Sequence, residues 1–254
     1  MDLAALFPGR RALFFPTVGS TNDLARELAS RGAPEGTLVV ADEQTAGRGR
    51  LGRRWLAPAG TSILLSVLYR PAWTTSEAFR LTMACSLGTA EAVKAITGLE
   101  ARIKWPNDIL VNGKKVGGIL AELGWEGERL SYAVVGLGLN VNWDVTTCPE
   151  IARTATSLSI EAKKPIDRQG LLKAIVEAVD RCYALCLSGK SEELRGDWER
   201  HLDTLNKIVT IETEAGRVQG QALGVDAEGA LLVRDGQGQA QRITVGDVVV
   251  SSGL

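Results

Sequence analysis

The sequence predicts an α+β domain followed by a small β-barrel, and three observations carry that prediction. Strand-like runs and amphipathic helical runs are interspersed over the first two hundred or so residues, with two hairpin signals among them. From about Asn206 the texture changes to five short strand patterns separated by glycine-containing turns, as in a small closed barrel. A chain of 254 residues is long enough for one large domain with an appendage. The boundary is therefore placed near residue 205, dividing the chain into 1–205 and 206–254.

Each element has its own local signal. "RALFFPTV" (11–18) reads as a buried strand. "STNDLARELASRG" (20–32) begins with helix-capping residues, spaces Leu24, Ala25 and Leu28 on one helical face, and ends at Gly32. "GTLVVADEQ" (36–44) and "TSILLSVLYR" (61–70) are two further strands. An Ala-, Leu- and Met-rich helix is expected from Ser76 to about Ile96. "DILVNGKKVGGILAEL" (108–123) places Asn112-Gly113 between apolar runs, a strong tight-turn signal. "AELGWEGERLSYAVVGLGLNV" (121–141) turns again at Trp125 to Gly127. Helices follow at roughly 167–188 and 191–204, and then the strands "KIVTIET", "RVQGQALGVD", "ALLVRD", "AQRITV" and "DVVVS".

Composition narrows the function. Apolar residues make up 45% and charged residues 23%, with a net charge of −1. A pI near 6.0 argues against a nucleic-acid coat. The first residues lack a signal-peptide pattern, and no run approaches the ~18 apolar residues of a membrane span. Cys85, Cys148, Cys182 and Cys186 form neither a C-x-x-C pair nor a secreted framework, so free thiols in a cytoplasmic protein are expected. The single histidine, His201, reads as a packing or surface residue. No zinc-ligand spacing and no G-x-S-x-G elbow is present. "GLGLNV" lacks the third glycine of a dinucleotide fingerprint, and "NGKKVGG" lacks the Ser or Thr of a Walker loop. What remains is chemistry performed by cations and by position.

Three polar clusters can supply it. "GSTND" sets Ser20, Thr21 and Asn22 between a strand and a helix start, where they can cap the helix or face a polar ligand. "GRGRLGRRW" (47–55) combines Gly47, Gly49 and Gly52 with Arg48, Arg50, Arg53 and Arg54, a flexible loop bearing planar forks for phosphate or carboxylate. Each charge-assisted bond contributes roughly 1.5–3 kcal/mol, enough to offset the entropy of ordering such a loop over an anion. "KWPNDILVNGKKVGG" brackets Trp105-Pro106 with Lys104, Asn107 and Asp108, and sets Lys115 ahead of Gly117 and Gly118. A lysine inside an apolar strand calls for an anionic partner, expected here to be a ligand carboxylate or phosphate. Asp108 reads as a Mg²⁺ ligand, a proton acceptor or a turn cap. Together the clusters suit acyl adenylation, in which cations neutralise charge as a carboxylate attacks an α-phosphorus.

"STND", "EQTAGRGRLGRRW", "KWPNDILVNGKKVGGIL" and "VGLGLNV", in this order, resemble the bacterial biotin protein ligases. The resemblance runs from about residue 15 to 160, and the later helices and terminal barrel extend it. It implies a mixed, mainly antiparallel sheet packed with helices, related to class II aminoacyl-tRNA synthetases, with a C-terminal SH3-like barrel. It also implies a two-step reaction: biotin and MgATP form biotinyl-5′-AMP, and a lysine of a biotin carboxyl carrier domain then accepts the biotinyl group. The carrier would belong to a biotin-dependent carboxylase such as acetyl-CoA carboxylase.

Carried over by position, Ser20, Thr21, Asn22 and Gln44 line the biotin ureido end. Gly47, Arg48, Gly49 and Arg50 belong to a lid over biotin and the acyl phosphate. Arg53 and Lys104 contact ATP phosphates, with Arg50 beside them, and Lys115 meets the biotin carboxylate or bridging oxygen. Gly118 and Gly136 shape the pocket, Asn140 reads adenine, and Trp55 packs on the nucleotide side. Asn107 and Asp108 sit near phosphates and Mg²⁺, Asp108 also orienting the acceptor amine. Lys115, Arg48 and Asp108 are thus the expected catalytic residues. The segment 143–158, where an adenine-covering loop is expected, fits the family loosely. About ten residues precede the first strand, too few for the helix-turn-helix of members that repress transcription, so no nucleic-acid partner is expected. A monomer or homodimer without membrane attachment is expected. A lipoate or octanoate ligase or transferase of the same fold, and a non-catalytic biotin- or nucleotide-binding regulator, are the alternatives.

Overall fold

The computed structural model describes residues 1–127, 129–213 and 216–250. In chain order the elements are α1 (Leu3–Leu6), β1 (Ala12–Val18), α2 (Thr21–Ser30), β2 (Leu38–Gln44), β3 (Ser62–Tyr69), α3 (Phe79–Thr97), β4 (Ala101–Lys104), β5 (Asp108–Val111), β6 (Lys114–Glu126) and β7 (Arg129–Asn140). They continue with α4 (Leu158–Ala162), α5 (Arg168–Leu187), α6 (Ser191–His201), β8 (Ile208–Thr213), β9 (Gly216–Val225), β10 (Leu231–Asp235), β11 (Ala240–Ile243) and β12 (Asp247–Val250).

The first seven strands form one mixed sheet in the order β1-β2-β3-β7-β6-β5-β4. Only β1 and β2 run parallel, because α2 crosses over between them; hairpins and longer returns make the other pairs antiparallel. β3 lies inside the sheet, between β2 and β7, and is buried along its whole length, which explains its unbroken apolar run. One face of the sheet packs on α3 and α5, where Leu65, Val135 and Leu137 meet the helices' Leu87, Leu172 and Ile175 in the main core. The other face holds a smaller cluster of Ala25 and Ala29 from α2 with Val39, Leu68 and Val134.

Local chemistry sets the element ends. Asn112 (φ 50°) and Gly113 (φ 75°) make the two-residue β5–β6 turn, whose positive φ values match the strand twist. Ahead of α3, Thr74 and Glu77 form a reciprocal capping box, and Gly98 (φ 77°) stops the helix. Two sequence expectations are corrected. The final helix ends at His201 instead of 204, because Leu202 bridges to Ile103 and the Asp203 N–H donates to the Ile103 carbonyl at 2.7 Å. A tertiary hydrogen bond to β4 thereby overrides helical periodicity.

The second correction concerns the barrel. β8 to β12 form an antiparallel sheet in the order β11-β10-β9-β8-β12, and among the described residues no pairing joins β11 to β12. Closure needs matched tilt and stagger around the ring, and these two edge strands have four residues each. Ser251, expected in the last strand, lies outside the described residues. The small sheet docks on the larger unit through the β9–β10 turn: the buried Trp105 indole donates to the Gly229 carbonyl at 2.9 Å, and the Val225 N–H donates to Glu199 at 2.9 Å.

Candidate active site

A cavity of about 380 Å³ opens over β6 and β7 and gathers the three polar clusters in one place. Its floor is glycine: Gly118, Gly136 and Gly138 present bare backbone. A methyl group on Gly136 would collide with Asn22 Oδ1, and one on Gly138 with the Trp55 ring. The strand must stay unsubstituted there for those two side chains to lie across it.

Ser20, Thr21 and Asn22 stand at the start of α2, all buried. The expected cap does not form: Ser20 occupies the N-cap position without a side-chain capping bond. Instead the Thr21 N–H and hydroxyl both donate to Gln44 Oε1, at 2.8 and 3.0 Å. Ser66 donates to Asn22 Oδ1 at 2.6 Å, and Asn22 Nδ2 donates to Glu122 at 2.8 Å and to the Leu120 carbonyl at 3.2 Å. This network holds the polar end of the cavity rigid before any ligand arrives.

The arginine loop folds over the cavity as a small hairpin. Arg48 bridges Arg54, the Gly49 N–H donates to the Arg53 carbonyl at 2.7 Å, and the Trp55 N–H to the Gly47 carbonyl at 2.9 Å. The tip turns at Leu51 (φ 55°) and Gly52 (φ 72°), leaving Leu51 exposed. Gly47 is absent from the cavity lining; it closes the base of the hairpin, where a side chain would meet the Trp55 carbonyl at 2.8 Å.

The four arginines divide by partner. Arg48 donates two bonds to Asp23, at 2.6 and 2.7 Å, and reaches Glu122 at 3.5 Å. That pairing lowers the Asp23 carboxyl below its ordinary value and raises the Arg48 guanidinium above its own. Arg53, expected at ATP phosphates, is ion-paired with Asp247 of the small sheet. Arg54 lines the cavity with no carboxylate in salt-bridge range among the described residues. Arg50 bonds Asn107 Oδ1 at 3.2 Å, and burial lowers its pKa, outweighing the opposing fields of Asp247 and Asp108.

The β4–β5 turn and the β5–β6 hairpin supply the remaining polar groups. Asn107 donates to the Ile119 carbonyl at 2.7 Å, which fixes its amide beside Arg50. Lys115, expected to be buried and to take its anionic partner from a ligand, is half-exposed and has a partner within the protein. Its side chain is 37% exposed, its Nζ lies 2.6 Å from Asp108 Oδ1, and it sits 5.9 Å from the Trp55 ring centroid. Asp108 therefore meets a protein cation, and among the described residues no group of three or more His, Cys, Asp or Glu side chains gathers as a metal cage. Lys104 lines the cavity on the same side.

Asn140, at the end of β7, donates to the Thr156 carbonyl at 3.1 Å, while its Oδ1 is buried without a partner. The loosely matching segment is anchored beside it: Ile151, Thr154 and Ala155 line the cavity, and Lys115 exchanges backbone bonds with Thr154 and Thr156 at 3.0 and 2.8 Å.

Every predicted site residue except Gly47 thus lines one cavity. Sequence reading missed Asp23, Ser66 and Glu122, which hold the lining from behind, and Asp247 to Val249, contributed by the small sheet. The polar Ser66 inside an apolar strand was a readable signal; the approach of Asp247 from two hundred residues away was not. Six cations (Arg48, Arg50, Arg53, Arg54, Lys104 and Lys115) face two carboxylates (Asp108 and Asp247) in the lining of a chain whose net charge is −1.

Fold and cavity together define a protein ligase of the biotin/lipoate type: residues 14–140 match the Biotin/lipoate A/B protein ligase family, and residues 204–251 match the Biotin protein ligase C terminal domain. The chain belongs to the biotin protein ligase branch of that family. It is 34% identical over 238 residues to the biotin–[acetyl-CoA-carboxylase] ligase of Mycobacterium tuberculosis, covering 91% of this chain and 85% of that one. It is 37% identical over 231 residues to the bifunctional ligase/repressor BirA of Bacillus spizizenii, covering 91% and 71%. The biotin protein ligase of Aquifex aeolicus, solved in complex with biotin and ATP, superposes with a TM-score of 0.81 at 28% identity, covering 96% of this chain and 99% of that one.

Proposed function

We propose that this protein is an ATP-dependent biotin protein ligase, which joins biotin to a lysine of a biotin carboxyl carrier domain. The observation that carries the reading is the concentration of six cations around one glycine-floored cavity, in a chain with close biotin-ligase relatives.

In the first step the biotin carboxylate attacks the α-phosphorus of MgATP and pyrophosphate departs. Thr21, Asn22 and Gln44 present fixed donors and acceptors to the ureido ring, where discrimination requires short, directed bonds. Lys115 neutralises the carboxylate and the developing charge on the bridging oxygen, and Arg50, Arg54 and Lys104 take the phosphates. Arg53, whose ion pair with Asp247 is largely exposed and therefore weak, joins them by exchanging that partner for a phosphate. A Mg²⁺ ion bound with the nucleotide would be held on the protein side by Asp108 and would help neutralise phosphate charge. Asn140 and Trp55 frame the adenine. In the second step the acceptor ε-amine attacks the acyl carbon and AMP leaves with the electron pair. Asp108 accepts a hydrogen bond from the incoming amine, and the arginine hairpin keeps water from the mixed anhydride.

Residues 1–205 are assigned as the catalytic domain and 206–254 as an appended domain that completes the cavity wall. No helix among the described residues is long and apolar enough to cross a membrane. The test is incubation with biotin, MgATP and a carrier domain, followed by mass measurement of the carrier, with lipoate in parallel. A mass increase with biotin alone is expected; modification by lipoate and not by biotin rejects the assignment.

A further inference from the structure

The structure assigns Glu161 as a positioning residue: through Thr156 it fixes the direction of the Asn140 amide and so selects a purine with an amino group at C6 over one with an oxo group there. The inference rests on reading Asn140 as the adenine contact.

Glu161, in α4, accepts two hydrogen bonds from different parts of the chain. One carboxylate oxygen takes the Thr156 hydroxyl at 2.7 Å, and the other takes the Asn112 amide at 2.6 Å. It thus ties the strip over the nucleotide side of the cavity to the turn of the hairpin that carries Lys115. Thr156 also donates its N–H to the Lys115 carbonyl at 2.8 Å.

The Thr156 carbonyl can only accept a hydrogen bond, so it compels Asn140 to turn its NH₂ toward it, at 3.1 Å. Oδ1 is left as the outstanding group, buried and without a partner in a residue that is 2% exposed. A lone acceptor beside the cavity is satisfied by a donor and repelled by another acceptor. The exocyclic amine of adenine is such a donor; guanine and hypoxanthine carry an oxygen at the same ring position. Were the Thr156 carbonyl to swing away, the amide could rotate and offer NH₂ instead, and the preference would vanish. The device is therefore the orientation of Asn140, and Glu161 is what holds it.

The measurement is biotin-dependent pyrophosphate exchange by the full chain, with ATP and ITP compared. Glu161→Ala should raise the KM for ATP about ten-fold, leave the KM for biotin unchanged, and lower the ATP-to-ITP ratio of kcat/KM by a similar factor. Glu161→Gln should stay near wild type, because its NH₂ can donate to the Thr156 hydroxyl while its oxygen still accepts from Asn112. Thr156→Val removes only the hydroxyl that Glu161 holds, and should reproduce the shift even where Glu161→Ala folds poorly. Unchanged base preference in Thr156→Val and Glu161→Ala, or equal impairment of the Ala and Gln variants, overturns the assignment. Asn140→Ala separates the two readings. If it erases the preference while the Glu161 and Thr156 variants do not, only the Glu161 role falls. If it changes neither the KM for ATP nor the preference, the adenine reading falls with it.

Discussion

Asp23→Asn should loosen the arginine hairpin and let the adenylate escape. In the structure Arg48 is the hairpin's anchor, with bonds of 2.6 and 2.7 Å to Asp23 and a longer one of 3.5 Å to Glu122. Both side chains are well exposed, at 37% for Arg48 and 49% for Asp23, so solvent screens most of the Coulomb attraction. A bidentate pair in that setting contributes about 1 kcal/mol, the upper end for exposed ion pairs. Removing the charge while keeping the shape should then shift the closed population by about five-fold. The assay loads the enzyme with biotin and MgATP without a carrier, removes free ligand, and follows biotinyl-adenylate appearing in solution. Asp23→Asn should release it about five-fold faster than wild type, and Arg48→Ala, which also loses Glu122, faster still. High salt should push wild-type release toward the Asp23→Asn rate. The pairing holds the Asp23 carboxyl below its ordinary 3.8, so the clamp is complete above that pH and fails only as acid reaches the lower folded value. Retention should therefore be flat across neutral pH. If Asp23→Asn retains adenylate as wild type does while Arg48→Ala leaks, the ion pair is not the anchor and the reasoning fails.

Three further outcomes are expected. Gly136→Ala places a methyl group on Asn22 Oδ1, and calorimetric titration should show biotin binding weakened by about 1–3 kcal/mol; unchanged affinity would mean Asn22 yields without cost. Trp105→Phe strands the buried Gly229 carbonyl, which should cost about 1–3 kcal/mol and lower the melting temperature by several degrees; an unchanged melt would remove this contact from the domain junction. Burial, and then the neighbouring Arg102, lower His201 from its ordinary 6.5. Its contribution is complete above pH 6.5 and is lost as pH falls through the lower folded value, because the unfolded chain binds the proton first. Melting temperature should decline on mild acidification, with a shallower decline in His201→Gln; equal slopes in both proteins would assign the acid sensitivity elsewhere.

The strands, helices and hairpins were readable because their signals are local. Asn112-Gly113 can make its turn with no knowledge of the rest of the molecule, and the unbroken apolar run of β3 implies cover on both faces. The length of the final helix was misjudged for the opposite reason, and among the described residues the expected pairing that would close the small sheet is not seen. His201 and Leu202 obey β4, a distant strand, and barrel closure depends on the meeting of edges that no short window contains.

Residue type and spacing pointed to acyl adenylation (cations without a nucleophile, glycines for close approach, amides for direction), and the resemblance to biotin protein ligases supplied the substrate. The tertiary structure decided which of those groups remain available to a ligand. Arg48 is paired with Asp23 and Glu122 and Arg53 with Asp247, and Lys115 would share Asp108 with a ligand, whereas among the described residues Arg50 has no carboxylate in salt-bridge range and Asn140 Oδ1 has no hydrogen-bond partner. A sequence states what each side chain can donate or accept. Only the packed chain sets the distances over which charges cancel and hydrogen bonds close, and those distances fix what remains for the substrate.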